Sequence, residues 1–378
     1  MTVTGSARPT LAFADRLLIA TVVVVHVLFL IGPLDVLAPI DPHRIGSMLW
    51  HGQIPYRDFD FEYPPFAALA FLLPGLAPAG LAKSVLALQA IAAEFALCWL
   101  VLRHHPGSVR RYALLSVLVF PFLSGGFDAL PMLAIALSTE LIVRNRAAGW
   151  WVAALGVAIK LSPATAWTWG TNRLRVAVAA GLATATVALA PLAFARTADS
   201  TWIGWSAHRG VQAESVAASL AWLGHLLTGA STDLVYRFRA TEIAGAAPIG
   251  FAVAGAAAVG LLVVRFSSSH VNPWMASFTA IVLFMCGFKV LSPQYIAWAA
   301  PLAAVVGGRW FKGYVVVAGI TLLTYMASDD RTSLLGLTAL RNAVLVGIAV
   351  AAVRHLLAAP SPGITGEGTY VRDVTPML

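Results

Sequence analysis

Along nearly its whole length the chain is a succession of apolar runs, each parted from the next by a few polar or basic residues. The runs lie near 17–37, 84–102, 112–126, 128–143, 148–170, 176–195, 247–264, 272–288, 293–308, 313–328 and 342–358. About 20 apolar residues in a helix cross a bilayer, and a lone strand cannot satisfy its backbone in lipid. The pattern therefore predicts an all-α polytopic membrane protein built as one transmembrane domain over 1–358. A large soluble domain has no room, because charged residues make up 11% of the chain, against ~25% in soluble domains.

Two runs carry interruptions. The stretch 65–79 is short and broken by Pro74, which suits a re-entrant or interfacial helix rather than a span. The run 148–170 is broken at Lys160-Leu-Ser-Pro163 and reads as two half-helices that enter and leave on one side. Counted so, the chain has about 12 membrane segments,. With the N-terminus inside, Arg103, Arg110, Arg111, Arg144, Arg146, Arg173, Arg175, Arg265, Arg309, Lys312 and Arg354 all fall in cytoplasmic links, as basic residues in short loops do. The same placement accounts for the net charge of +8 without a nucleic-acid partner. The expected location is the plasma membrane, with both termini cytoplasmic. The Pro/Gly/Thr-rich tail 359–378 is expected to be disordered there. Residues 17–37 read as a retained first span, not a cleaved signal,. Cys98 and Cys286 both lie inside apolar runs and read as buried thiols.

Two long polar stretches remain, 38–64 and 196–246, and both face outward in this topology. Long loops in compact proteins are often functional. The first gathers Asp35, Asp41, Asp58, Asp60 and Glu62, five of the chain's 17 acids, far above an even share. Tyr56, Phe59, Phe61 and Tyr63 are interleaved with them. In an extended segment this alternation puts acids on one side and rings on the other. Such a surface suits a sugar, with carboxylates for its hydroxyls and rings for its apolar faces. The second loop carries His208, Arg209, Gln212 and Glu214. Arg can grip phosphate oxygens through two parallel hydrogen bonds. A third element, Lys289-Val-Leu-Ser-Pro-Gln294-Tyr295, sets a cation beside a helix start, a favourable place for an anion. Arg341, near the outer face, is a further phosphate candidate, whereas Lys160 and the intramembrane His26 and Glu94 read as framework residues. P-loop, dinucleotide and zinc-protease motifs are absent,.

The string Gly52-Gln-Ile-Pro-Tyr-Arg-Asp-Phe-Asp-Phe-Glu-Tyr-Pro-Pro65 resembles the first-loop motif of glycosyltransferase family 87, whose members are GT-C-like, polyprenyl-phosphate-mannose-dependent mannosyltransferases of actinobacteria. His208-Arg-Gly-Val-Gln-Ala-Glu-Ser215 and Lys289-Val-Leu-Ser-Pro-Gln-Tyr295, with Trp298 and Pro301, resemble two more of its motifs. The resemblance implies an inverting transfer in which a first-loop aspartate is the general base. It carries that role to Asp41, with Asp58 as second candidate. Arg57, Asp60, Glu62, Tyr63, His208, Arg209, Gln212, Glu214, Lys289, Gln294, Tyr295 and Arg341 are then candidate substrate contacts. The partners implied are a polyprenyl-phosphate-sugar donor, a lipid or glycan acceptor and the membrane lipid itself. No metal and no cofactor is called for. Inversion needs one carboxylate on the acceptor face, and an anionic leaving phosphate lets a cation stand in for a general acid. A transporter or flippase for a lipid-linked sugar would also explain the spans and Glu94, and a non-catalytic envelope partner would explain the spans alone.

Overall fold

The computed structural model describes residues 13–31, 41–168, 173–197, 200–229, 233–237, 240–267, 272–326 and 331–358. The chain opens with α1 (Phe13–Ile31) and the short α2 (Pro42–Trp50). A 3₁₀ helix, Pro65–Phe71, runs into α3 (Leu72–Leu76), and then come α4 (Ala82–Leu100), α5 (Ser108–Leu123), α6 (Ala129–Val143) and α7 (Ala148–Ile159). A second 3₁₀ helix, Ser162–Thr168, leads to α8 (Arg173–Phe194) and α9 (Trp202–His208). Past β1 (Val211–Gln212), α10 (Val216–Thr228), β2 (Leu234–Arg237) and β3 (Ala240–Ile243), the chain returns to long helices with α11 (Ala247–Ser267) and α12 (Pro273–Gly287). A third 3₁₀ helix, Pro293–Ala299, continues as α13 (Ala300–Val306), followed by α14 (Gly308–Met326) and α15 (Arg331–Ala358). Each apolar run of the sequence is a helix or a helix pair, in the same order, so the protein is an all-α polytopic membrane protein. The tail 359–378 and the loop residues 32–40 lie outside the described residues.

Helix length explains where the interior opens. Four described stretches are long and apolar enough to cross a membrane: Ala79–His104, Leu174–Phe194, Ala247–Ser267 and Leu334–Ala358. The central helices are shorter, with 15 residues in α6, 12 in α7 and 15 in α12. Fifteen residues rise about 22 Å, well under the ~30 Å hydrocarbon core. Of these, α12 is packed inside the bundle, burying nearly every side chain from Trp274 to Cys286, whereas α7 leaves Trp151 and Leu155 exposed on its outer face. Asp128 at the start of α6 accepts from Lys160, just past the end of α7, and from Trp298 in the third 3₁₀ helix. The start of α6, the end of α7 and the third 3₁₀ helix therefore meet at one level, beside a cavity lined by Lys160, Tyr295 and Trp298.

The break after α7 follows from its sequence. Lys160 is extended (φ −160, ψ 142), and Pro163 has no N–H with which to carry the α7 ladder onward. A Cβ on Gly156 would lie 2.7 Å from Ala134 Cβ and 2.8 Å from Pro163 Cγ. Gly156 therefore lets α6 approach on one side while the chain folds back along α7 on the other, the reversal expected for 148–170.

The stretch 65–76 is a 3₁₀ helix followed by little more than one α-turn. It rises about 20 Å, too little to cross. Its partner is α2, which meets it backbone to backbone: a Cβ on Gly46 would stand 2.1 Å from Phe71 O and 2.5 Å from Gly75 Cα. Gly46→Leu is therefore expected to pry α2 off this hairpin, at a cost of at least about 1–3 kcal/mol. Faster proteolysis within 41–64 and a lower melting temperature in detergent would register it; an unchanged melting curve would contradict this packing.

The second loop contains a feature that the sequence reading lacks, a small antiparallel sheet in the order β1-β3-β2. Val211 faces Ile243, and Glu242 sits between Gln212 and Val235.

Candidate active site

Asp41 is the N-cap of α2. One of its oxygens, Oδ1, accepts the Arg44 N–H at 3.0 Å, and Pro42 occupies the first helical position. Proline and aspartate are favoured there because the free N–H groups of the first turn want an acceptor and a preset φ. Among the described residues this is the single hydrogen bond to the Asp41 carboxylate, which is exposed at the cavity wall.

Asp58 is held differently. Arg57 donates to it twice, Nε to Oδ1 at 3.0 Å and Nη2 to Oδ2 at 2.8 Å, and the Ile54 N–H also reaches Oδ2 at 2.8 Å. The Arg57 hydrogen bonds, helped by that N–H, hold its carboxyl below the usual range. Asp58 closes the turn 54–58 and is thereby the weaker base. Between them, Tyr56 takes a left-handed backbone (φ 71) that a non-glycine residue adopts only under constraint,. Its carbonyl accepts from Arg196 N–H and Ser200 Oγ, and its hydroxyl donates to Tyr63 O. The Phe61 N–H donates to Ser200 O. The first long polar loop is thus stitched onto the start of the second.

The alternation of acids and rings is only partly sorted: the rings pack among themselves, yet acids and rings reach one cavity. Phe59, Phe61 and Tyr63 form an edge-to-face series that continues through Phe71 and Phe127, with centroids 4.8–6.3 Å apart. Phe61 is 2% exposed. The rings are therefore largely spent on packing instead of lying open to a sugar. Asp58, Asp60 and Glu62 line a cavity of about 570 Å³ with Asp41, Gln53, Arg44, Arg196 and Trp205, and edges of Phe59, Phe61 and Tyr63 reach the same walls. Neither arginine was among the sequence candidates.

A second cavity, about 160 Å³, adjoins the first through Glu62, Tyr63 and Trp205, which line both. Its character is cationic and aromatic: Lys160, Arg209 and Lys289 share its walls with Tyr295, Trp298, Phe288 and Trp202. Hydrogen bonds between the two later motifs shape it. Lys289 Nζ donates to Arg209 O at 2.6 Å, the Gln212 N–H to Lys289 O at 2.9 Å, and Gln212 Nε2 to Ser292 Oγ at 3.2 Å. Tyr295 stacks on Trp298 at 4.1 Å, and Lys160 Nζ lies 4.5 Å from the Tyr295 ring. The sequence reading left Lys160 in the framework. Its signal was the parallel between Lys160-Leu-Ser-Pro163 and Lys289-Val-Leu-Ser-Pro293, since both Ser-Pro pairs open a 3₁₀ helix beside the same cavity.

Other candidates stand outside these walls. Arg57 is engaged with Asp58, His208 is exposed at the end of α9, and Gln294 is half-buried beside Tyr295. Gln212 supports the wall from behind, buried against Ser292. Burial pushes the Glu214 carboxyl up, and its Oε2 has no hydrogen-bond partner among the described residues. Arg341 is fully buried, donating to Glu214 O and Asn342 Oδ1. It ties the second loop to α15 and reaches neither cavity. Among the described residues no three His, Cys, Asp or Glu side chains are grouped to hold a metal ion.

An acidic and a cationic recess thus adjoin, an arrangement suited to a group transfer between two polar substrates. The sequence matches the family model of glycosyltransferase family 87 over residues 61–293. The chain belongs to glycosyltransferase family 87. No curated protein and no solved structure matches it. The matched range holds Glu62, Tyr63, Asp128, Lys160, Arg209, Gln212, Glu214 and Lys289, so most of the cationic cavity of this glycosyltransferase lies within it. Asp41 and Asp58 precede the range, and Tyr295 and Arg341 follow it.

Proposed function

We propose that this glycosyltransferase moves a sugar, mannose by the resemblance of its motifs, from a polyprenyl phosphate to a lipid or glycan hydroxyl on the extracytoplasmic side of the plasma membrane. The observation that carries this reading is the meeting of an acidic and a cationic cavity at Glu62, Tyr63 and Trp205. The donor phosphate sits among Lys160, Arg209 and Lys289, and the acceptor enters beside Asp41. Asp41 takes the acceptor's O–H proton as the acceptor oxygen bonds to the anomeric carbon. The bond from that carbon to the phosphate oxygen breaks with its electron pair on phosphate, and the configuration inverts. Tyr295 and Trp298 offer a stacked aromatic surface to the sugar or the first isoprene units. Arg103, Arg110, Arg111, Arg144, Arg146, Arg265, Arg309, Lys312 and Arg354, which fall in short links on the opposite side in this topology, support the outward site and cytoplasmic termini,.

The test is transfer of radiolabelled mannose from synthetic polyprenyl-phosphate-mannose by purified full-length protein supplied with a membrane lipid extract. Labelled lipid or glycan product is expected. Folded protein that makes none, but moves the intact donor across a vesicle bilayer, would point to a flippase instead.

A further inference from the structure

Lys160 is 9% exposed, and Nζ makes one hydrogen bond among the described residues, 2.7 Å to Asp128 Oδ1. An ammonium has three N–H donors. Around the other two stand rings, with Tyr295, Trp298 and Phe127 centroids at 4.5, 5.2 and 5.3 Å, and the cavity itself. Rings attract the charge but do not replace acceptor oxygens. A buried cation with two donors unspent at a cavity wall is built to meet an anionic ligand. The same Asp128 oxygen accepts Trp298 Nε1–H at 2.9 Å, so one carboxylate, itself buried, sets both the cation and the ring beneath it.

Resting on the function proposed above, we infer that Lys160 is the residue that contacts the leaving phosphate and holds it more strongly as its second charge appears, with Asp128 as its positioning residue. The donor is a phosphodiester with one negative charge. When its bond to the anomeric carbon breaks, the electron pair stays on phosphate, giving a dianionic monoester. A cation already balanced by Asp128 adds little to binding the monoanion and more to the dianion, which competes with Asp128 for its N–H groups. Such an interaction, stronger in the transition state than in the ground state, raises turnover rather than affinity for donor.

The experiment measures equilibrium binding of radiolabelled polyprenyl monophosphate and polyprenyl-phosphate-mannose to full-length protein in nanodiscs, alongside transfer kinetics. Lys160→Met/Asp128→Asn removes both charges together, so no lone charge is left to unfold the site. It is expected to weaken the monophosphate about tenfold or more, as loss of a hydrogen bond to a charged group does, and the diester far less. Lys160→Arg is expected to restore the difference. Asp128→Asn, assayed where a thermal melt shows the protein folded, is expected to lower kcat and, because the unbalanced Lys160 then holds the monoanionic donor as well, to lower KM for donor with it. Equal weakening of both lipids, or none, overturns the role of Lys160, and a change in KM alone overturns that of Asp128. If wild-type protein binds neither lipid and transfers nothing, it is the underlying functional reading that fails.

Discussion

Asp41→Asn is expected to fold normally and to transfer sugar about 10²–10⁴-fold more slowly, the usual contribution of a positioned general base. Asparagine caps helices as well as aspartate does, so the Arg44 N–H keeps an acceptor and α2 keeps its start. Only the ability to take a proton is lost. Asp58→Asn makes the contrast. Its carboxylate spends both oxygens on Arg57 and the Ile54 N–H. An amide there loosens an exposed turn, for which a loss below about tenfold is expected. Initial rates for the two variants, with thermal melts to verify folding, decide between them. Near-wild-type turnover by Asp41→Asn with a dead Asp58→Asn would move the base to Asp58 and detach Asp41 from the chemistry.

These contrasts also show what a sequence like this makes legible. The order of the helices is legible because each apolar run answers to one physical demand, a helix in lipid. Even the reversal at Lys160-Leu-Ser-Pro163 follows from proline's missing donor. The ends of the runs are less so: the run 112–126 is helical over Ser108–Leu123, its first turn being basic and polar and entered through the left-handed Gly107. The sheet of two- to four-residue strands around Gln212 and Glu242 is too short to leave a periodic signal. At the site, the density of acids in the first loop pointed to one cavity, although the alternating rings reach it as well. The placement of Asp128, Lys160 and Arg196 depends on which helices stop together, and a linear string carries no record of that. The burial of Arg341 is of the same kind: a cation near a span's end can snorkel or be enclosed, and its neighbours across the bundle decide.

The pairing of Asp128 with Lys160 predicts the largest effect on stability. Both side chains are enclosed, 4% and 11% exposed, and their separation is 2.7 Å. Removing one member of such a pair leaves a desolvated charge without compensation, at a cost of about 3–5 kcal/mol. Asp128→Ala is therefore expected to lower the detergent melting temperature sharply, more so because Trp298 Nε1–H loses its acceptor as well. Lys160→Met alone should be nearly as harmful, since it strands the carboxylate. The double variant Lys160→Met/Asp128→Asn leaves neither charge and keeps an acceptor for Trp298, so most of the lost stability should return. The two residues touch, and their effects should be far from additive. Transfer should not return with stability, because the cationic cavity then lacks one of its three positive groups. If recovered stability restores wild-type turnover, the pair serves only to hold α6, α7 and the third 3₁₀ helix together. If stability stays low in the double variant, the charge pairing is not what Asp128 contributes, and its bond to Trp298 becomes the dominant one.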